Sequence, residues 1–180
     1  MFDTLIKFKK DRDKLDFYAT DSRAVEEILK VEKFSKVVLE PSCGQGHVGK
    51  VLEKKGYIVK ASDIVYRGYG EEKDFFAFRN NNLDILTNPP YYCGEEFLEH
   101  ALNISEVGVK IGMLFRLAFL EGQSRRKLFD MNPPKRVYVF SKRISCAKNG
   151  DFEKYKTAGF AFAWFIFCKG YKGKTTLKWI

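Results

Sequence analysis

Long apolar runs, internal repeats and low-complexity linkers are all missing from this 180-residue sequence. Nothing approaches the ~18 consecutive apolar residues that a membrane helix needs, so no membrane partner is expected. The first residues, Met1 to Lys7, carry neither the apolar core nor the small-residue cleavage site of a signal peptide. Cysteine is scarce and scattered: Cys43, Cys93, Cys146 and Cys168 form no C-x-x-C pair. That argues against zinc and against a disulfide framework, predicts no metal site, and fits a reducing cytoplasm. Acidic residues are in deficit, with 23 Asp and Glu against 32 Lys and Arg, a net charge of +9. The excess gathers at Lys7 to Lys14, Arg125-Arg126-Lys127, Lys135-Arg136, Lys142-Arg143 and Lys169 to Lys178. Such clusters predict a polyanionic partner; a solvated lysine surface is the alternative.

What is present is an alternation of short apolar strands with amphipathic helices. Hydrophobic residues make up 45% and charged residues 31%, so a folded, soluble single domain is expected. Residues 1–16 are charged and weakly patterned and read as an arm; residues 17–180 read as the domain. Ala24, Val25, Ile28 and Leu29 fall on one helical face, with Asp21 or Ser22 placed to cap it. Val37 to Leu39 predicts a strand stopped by Glu40-Pro41, Val48 to Leu52 a helix ended by Gly56, and Tyr57 to Ala61 a second strand. Phe75 to Phe78 suggests a third, short strand and Leu83 to Thr87 a fourth. A helix at Phe97 to Leu102, a strand at Val109 to Phe115, a helix at Gln123 to Phe129 and a strand at Arg136 to Phe140 follow. The aromatic stretch Phe160 to Cys168 is a long strand with Trp164 in the core, and Thr175 to Ile180 closes the chain as another. The pattern means an α/β fold: a mostly parallel twisted sheet of about seven strands, helices on both faces. After Phe140 no helix pattern remains, so an antiparallel strand is expected at the edge near the carboxyl end. The 18 residues from Ser141 to Ala158 are too many for a simple connection and read as functional or disordered.

Two short stretches concentrate the chemistry. The first is Glu40-Pro41-Ser42-Cys43-Gly44-Gln45-Gly46-His47-Val48-Gly49, a G-x-G-x-x-G turn between a strand and a helix. Its glycines allow a tight turn and a close ligand. Asp63, at the end of the next strand, is placed to grip both hydroxyls of a ribose. A dinucleotide is one reading, and a turn that binds nothing is another. The carboxylate of Glu40 just before the glycines would repel a pyrophosphate and welcome an ammonium, which favours a cationic nucleoside, S-adenosylmethionine. The second stretch is Thr87-Asn88-Pro89-Pro90-Tyr91-Tyr92, where two prolines end the fourth strand. Arg116 ends a later strand on the same ligand edge, where sites collect. Arg125, Arg126 and Lys127 are either phosphate contacts or a solvated helix face. His47 and His100 read as surface residues rather than bases.

With "EPSCGQG", "SDI", "DFF" and "TNPPY" in that order, the chain resembles the S-adenosylmethionine-dependent amino-methyltransferases, most closely the DNA adenine-N6 type. The likeness spans about residue 17 to residue 168, and adenine-N6, cytosine-N4 and glutamine-N5 enzymes share its NPPY motif. Leu114 to Phe129 and "RVYVFSKR" look like small methyltransferases common in bacteriophages, which implies a bacterial or phage-infected cytoplasm. The resemblance implies a Rossmann-like class I methyltransferase fold with S-adenosylmethionine as cofactor. It implies that Glu40, Ser42, Gly44 and Gly46 line the methionine end, that Asp63 holds the ribose, and that Ile64, Asp74 and Phe75 serve the adenine. Phe17-Tyr18-Ala19-Thr20 looks like the amino-terminal cofactor motif, with Asp21 where that motif has proline. Asn88, Pro89, Pro90 and Tyr91 would be the catalytic motif.

The implied substrate is the N6 amino group of adenine in nucleic acid, DNA in preference to RNA. Tyr91, Tyr92, Arg116, Arg125, Arg126, Lys142 and Arg143 are its candidate contacts. Family members often stack a later aromatic on the target base; here "KRISC" puts Cys146 near that position, with Phe152 or Tyr155 as substitutes. No separate target-recognition domain is present, which leaves low specificity, a specificity partner or a substrate other than duplex DNA. An RNA or protein glutamine-N5 methyltransferase and a non-catalytic subunit that needs a partner are the alternatives.

Overall fold

The structure is a computed structural model and describes residues 17–148, 150–154 and 159–180. The expected arm over residues 1–16 and Tyr155 lie outside the described residues. In chain order the elements are β1 (Tyr18–Thr20), α1 (Ser22–Val31), β2 (Val37–Glu40), α2 (Gly49–Lys54), β3 (Ile58–Asp63), β4 (Glu71–Glu72), β5 (Asp84–Thr87), α3 (Gly94–Ile104), β6 (Lys110–Arg116), α4 (Gln123–Met131), β7 (Arg136–Val139), β8 (Cys146–Lys148), β9 (Phe162–Cys168) and β10 (Thr176–Trp179). Three 3-10 turns, Phe75–Ala77, Tyr91–Cys93 and Leu117–Leu120, lie between them.

Eight strands form one sheet in the order β10-β7-β9-β6-β5-β2-β3-β4, and β1 pairs with β8 in a separate two-stranded ribbon. Side chains alternate across a strand, and the two faces separate accordingly. Ile85, Ile111, Met113, Phe115, Phe165 and Phe167 pack with α3 and α4 residues such as Phe97 and Leu128. Leu86, Leu114, Trp164 and Ile166 pack on the other face with Val25 and Ile28 of α1 and Val51 and Leu52 of α2. Asp21 caps α1, its side chain accepting from the Arg23 amide at 3.0 Å. At the far end of that helix the buried Glu32 accepts from Lys110 Nζ at 3.0 Å, from Tyr138 Oη at 2.9 Å and from Arg136 Nε. Burial alone would raise the Glu32 pKa, but these donors win and hold it below the usual carboxylate value. The network ties α1 to β6 and β7. Among the described residues no helix is long and apolar enough to cross a membrane.

Three details differ from the expectation. In place of a strand over Phe75 to Phe78 there is the 3-10 turn Phe75–Ala77, because the Asp74 side chain accepts from the Phe76 amide at 2.9 Å and Phe75 tucks its ring 4.4 Å from Phe97. The third strand is instead the exposed, acidic β4, paired with the end of β3 over two residues. The antiparallel strand is β9, and it lies inside the sheet between β6 and β7. The edge is β10, which runs parallel to β7. Burial explains the order: β9 is almost wholly apolar and buried, which suits a strand covered on both faces, whereas every residue of β10 is exposed.

Candidate active site

The chain crosses outward from β2 to β3 on one side of the sheet and from β5 to β6 on the other, and β2 and β5 are neighbours. That makes their carboxyl ends a topological switch point, where a crevice opens. The glycine turn leaves β2 there, and Asn88-Pro89-Pro90 leaves β5 there. Ser42 stitches them together: its hydroxyl shares a hydrogen bond with Thr87 Oγ1 at 2.7 Å and donates to the Asn88 carbonyl at 3.0 Å.

Gly44 and Gly46 have φ of +52° and +82°, which only glycine takes readily. The third glycine is needed for space: a Cβ on Gly49 would come within 2.6 Å of Glu40 Oε2 and 2.3 Å of Tyr69 Oη. Asp63 braces the turn, its Oδ2 accepting from the Gly44 amide at 2.8 Å and its Oδ1 from the Val65 amide at 3.2 Å. Glu40 is 1% exposed, and its Oε2 has no hydrogen-bond partner. Burial pushes its pKa well above the carboxylate range, against the pull of the Gly49 amide, and the nearby Asp63 and Glu53 charges push the same way. Ile64 lies exposed beside Asp63. Phe75 is 2% exposed, its ring packed on Phe97, and Asp74 caps the turn that holds it through Oδ1, which accepts from the Phe76 amide.

Asn88 is fixed from one side. Its Nδ2 donates to Thr20 Oγ1 at 3.0 Å, to the Tyr18 carbonyl at 3.3 Å and to Cys146 Sγ at 4.0 Å. The Tyr18 carbonyl can only accept, so the amide orientation is determined by its neighbours. Its Oδ1 is buried without a partner. Both β1 and β8 contribute to this clamp, so the long loop after Phe140 does return to the site. Cys146 stands where the resemblance expects a stacking ring, and burial pushes its thiol up to about 12. That thiol stays neutral at ordinary pH, a hydrogen-bonding neighbour rather than a nucleophile. Phe152 sits 6.0 Å from the His47 ring, at the glycine turn rather than beside Asn88. His47 is half-buried between Phe152 and Phe17 rather than on the surface, and burial lowers its pKa.

The two tyrosines turn opposite ways. Tyr91 faces inward, 5.6 Å from Tyr18 and 5.9 Å from Phe162, and burial followed by the Cys146 thiol raises its pKa far above the usual phenol. Tyr92 is half-exposed, and its pKa is pushed up to about 12 by burial first, then Cys93, with Asp74 and Asp63 adding to it. Tyr92 thus stands on the Asp63 side of the turn and Tyr91 on the β1 side. Arg116 lies over the Tyr91 ring at 5.3 Å. Arg125 is turned inward, its Nε donating to the Phe119 and Glu121 carbonyls at 3.0 and 2.8 Å and its Nη1 3.6 Å from Glu95. Its donors are spent on the turn before α4, which removes it from the candidate phosphate contacts. Arg126 is exposed and pairs with Asp130 at 3.7 Å; Lys142 and Arg143 are exposed before β8.

Two participants escaped sequence reasoning: the covering ring of Tyr69 on Gly46 and Phe160 beside Arg116. The aromatic-threonine stretch at 17–20 signalled the ring of Phe17 over Gly44 and Thr20, though not the bond from Asn88 to the Thr20 hydroxyl. A groove of about 530 Å³ along β3, lined by Lys60, Tyr69 and Asn81 among others, includes neither Asn88 nor Asp63 and shares the Tyr69 ring with this crevice. Among the described residues no group of three His, Cys, Asp or Glu side chains could hold a metal.

No protein-family profile matches the chain, and no curated protein matches it. Solved structures do. A protein from Vibrio vulnificus described as the modification subunit of an inferred type I restriction enzyme superposes with a TM-score of 0.62 at 13% identity, covering 98% of this chain and 50% of that one. An inferred RNA methyltransferase from Pyrococcus horikoshii gives 0.62 at 16% identity, over 93% and 97%. An inferred class I S-adenosylmethionine-dependent methyltransferase from Listeria monocytogenes gives 0.59 at 15%, over 98% and 69%. The chain spans half the length of the Vibrio protein. At these identities the likeness is one of fold, the class I methyltransferase fold.

Proposed function

We propose that this chain, which has the class I methyltransferase fold, transfers a methyl group from S-adenosylmethionine to the N6 amino group of adenine in nucleic acid, DNA in preference to RNA. The observation that carries the reading is the Asn88 carboxamide: its donor side is held by Thr20, Tyr18 and Cys146, and its acceptor Oδ1 is buried and unpaired. A buried acceptor without a donor is costly, and it is the group that an incoming amino hydrogen satisfies.

The residues present fit the cofactor. Glu40, a buried acid with an unpaired oxygen, suits an ammonium, and Asp63 stands at the end of β3 beside the glycine turn. Glu40, Ser42, Gly44, Gly46, Asp63 and Ile64 are the residues assigned to hold it, with Tyr18 and Thr20 beside them. When bound, the cofactor supplies an electrophilic methyl on a sulfonium. The chain does the rest by placement. Asn88 Oδ1 and the Pro89 carbonyl accept the two hydrogens of an amino nitrogen whose lone pair is conjugated into a ring. They draw it toward sp³ geometry and stabilise the positive charge that develops. Pro90 fixes the backbone. No strong base is needed, because the proton leaves after the methyl has arrived. Tyr91, wedged between Tyr18 and Phe162, walls the target side. A base in a duplex has to be flipped out to reach it, at a cost of a few kcal/mol.

The Vibrio neighbour is described as part of a restriction enzyme and the Pyrococcus neighbour as acting on RNA, which supports a nucleic-acid substrate and a specificity partner. Labelled methyl transfer to duplex DNA, single-stranded DNA, RNA and whole-cell protein in parallel tests the reading, with label in DNA expected. Asn88→Ala should keep cofactor binding and lose transfer, and Asp63→Ala should lose the cofactor-induced thermal shift. Full turnover in Asn88→Ala would refute the mechanism.

A further inference from the structure

Arg116 ends β6 with its guanidinium over two rings, 3.8 Å from the Phe160 centroid and 5.3 Å from that of Tyr91. Its Nε is buried without a hydrogen-bond partner. Among the described residues it makes no ion pair, whereas Arg125 nearby is paired with Glu95 and bonded to two carbonyls. A guanidinium partly removed from water and left without an anion is an unfavourable arrangement. The rings attract its charge, but they leave its forked N–H donors unfilled. Those donors match two oxygens of a phosphate in one plane. Tyr91 belongs to the same turn as Asn88, so the empty fork sits on the target side of that turn.

We infer that Arg116 receives the phosphodiester attached to the nucleotide whose amino group lies at Asn88. This rests on the reading above and narrows its substrate class. A peptide amide brings no obligatory anion to this position, whereas a nucleotide always does. Phe160, 53% exposed, lies against the guanidinium and leaves its N–H donors unfilled. The same phosphodiester chemistry is offered by DNA and by RNA, so both belong in the test.

The test is the salt dependence of binding, read by fluorescence anisotropy with a labelled adenine-containing single strand, as DNA and as RNA. For single strands log K falls against log salt with a slope of about −0.7 per neutralised phosphate. Arg116→Gln should weaken binding and make the slope shallower by about 0.7, and Arg116→Lys should keep the slope while losing part of the affinity, since an ammonium neutralises a phosphate without filling a fork. An Arg116→Gln protein that melts like wild type and binds with unchanged slope and affinity overturns the inference. If Arg116→Gln does not fold, Arg116→Lys decides: a slope as shallow as complete loss of one phosphate contact overturns it as well. Wild-type methyl transfer separates the two claims. Label in nucleic acid with no effect of Arg116 leaves the function standing and removes the phosphate contact. Label only in protein removes both.

Discussion

Asn88 does two jobs with one carboxamide, and they separate by mutation of its neighbour. Thr20 is 3% exposed and gives Nδ2 its shortest contact, at 3.0 Å, so it acts as a positioning residue. Thr20→Val removes the acceptor at nearly constant volume. Loss of one such bond is worth about 1 kcal/mol, so kcat should fall roughly fivefold with KM for the cofactor unchanged. Thr20→Ser should restore it, and a KM effect instead would mark Thr20 as a cofactor contact, the role the resemblance assigns. Glu40 predicts a pH effect. Its folded pKa is raised, first by burial, so its contribution to stability is full below the ordinary carboxylate pKa and is lost as pH rises toward the raised value. Glu40→Gln imitates the neutral acid. Without cofactor it should melt higher than wild type at pH 8, with the gap closing toward pH 5 in a thermal melt. At this scale the sequence named Gly44 and Asp63 by local rules, a φ requirement and a strand end, and Asn88 through the resemblance that its Asn-Pro-Pro-Tyr stretch carries. It did not name the Asn88 partners, since Thr20 and Cys146 reach it only through a pairing of β1 with β8.

Among the elements, those with a strong apolar period were readable within two or three residues. Helix α1 runs Ser22–Val31 with the cap at Asp21, and α3 runs Gly94–Ile104 around the predicted apolar face. The unreadable ones were β1, β4 and β8, two or three residues each, which have no period and exist only through a distant partner. Phe75 to Phe78 misled because consecutive aromatics mimic a strand, while Asp74 closes a turn. The junction of α1 with the sheet makes its own prediction. Removing Glu32 leaves Lys110 and Arg136 without their anion. Because those cations keep 21% and 25% exposure, Glu32→Ala should cost about 3 kcal/mol, the low end for a broken buried pair. Denaturant unfolding measures it. The folded Glu32 pKa is lowered despite burial, so the pair stabilises above the ordinary carboxylate pKa. That contribution should fade as pH drops below about 4.5.

For the whole molecule, alternation of strands and helices gave the parallel sheet, but the place of the antiparallel strand needed burial as well as pattern. The basic surface was legible as charge and not as a site: Arg125 belongs to that excess and is turned inward, while Arg116 stood in no cluster and lies beside Tyr91. The position of β9 has a further consequence, for synthesis. Strands β6 and β7 are both made before β9, and both pair only through it on their facing sides. On the ribosome they remain two open edges until residues 162–168 emerge, and open apolar edges are where chains aggregate. The Asn88 clamp also waits, for Cys146–Lys148. A nascent chain carrying the whole glycine turn and the whole Asn-Pro-Pro corner is therefore still unfinished. The crevice around Asn88 closes only after residues 146–148 and 162–168 have been made, when later residues pack around earlier ones.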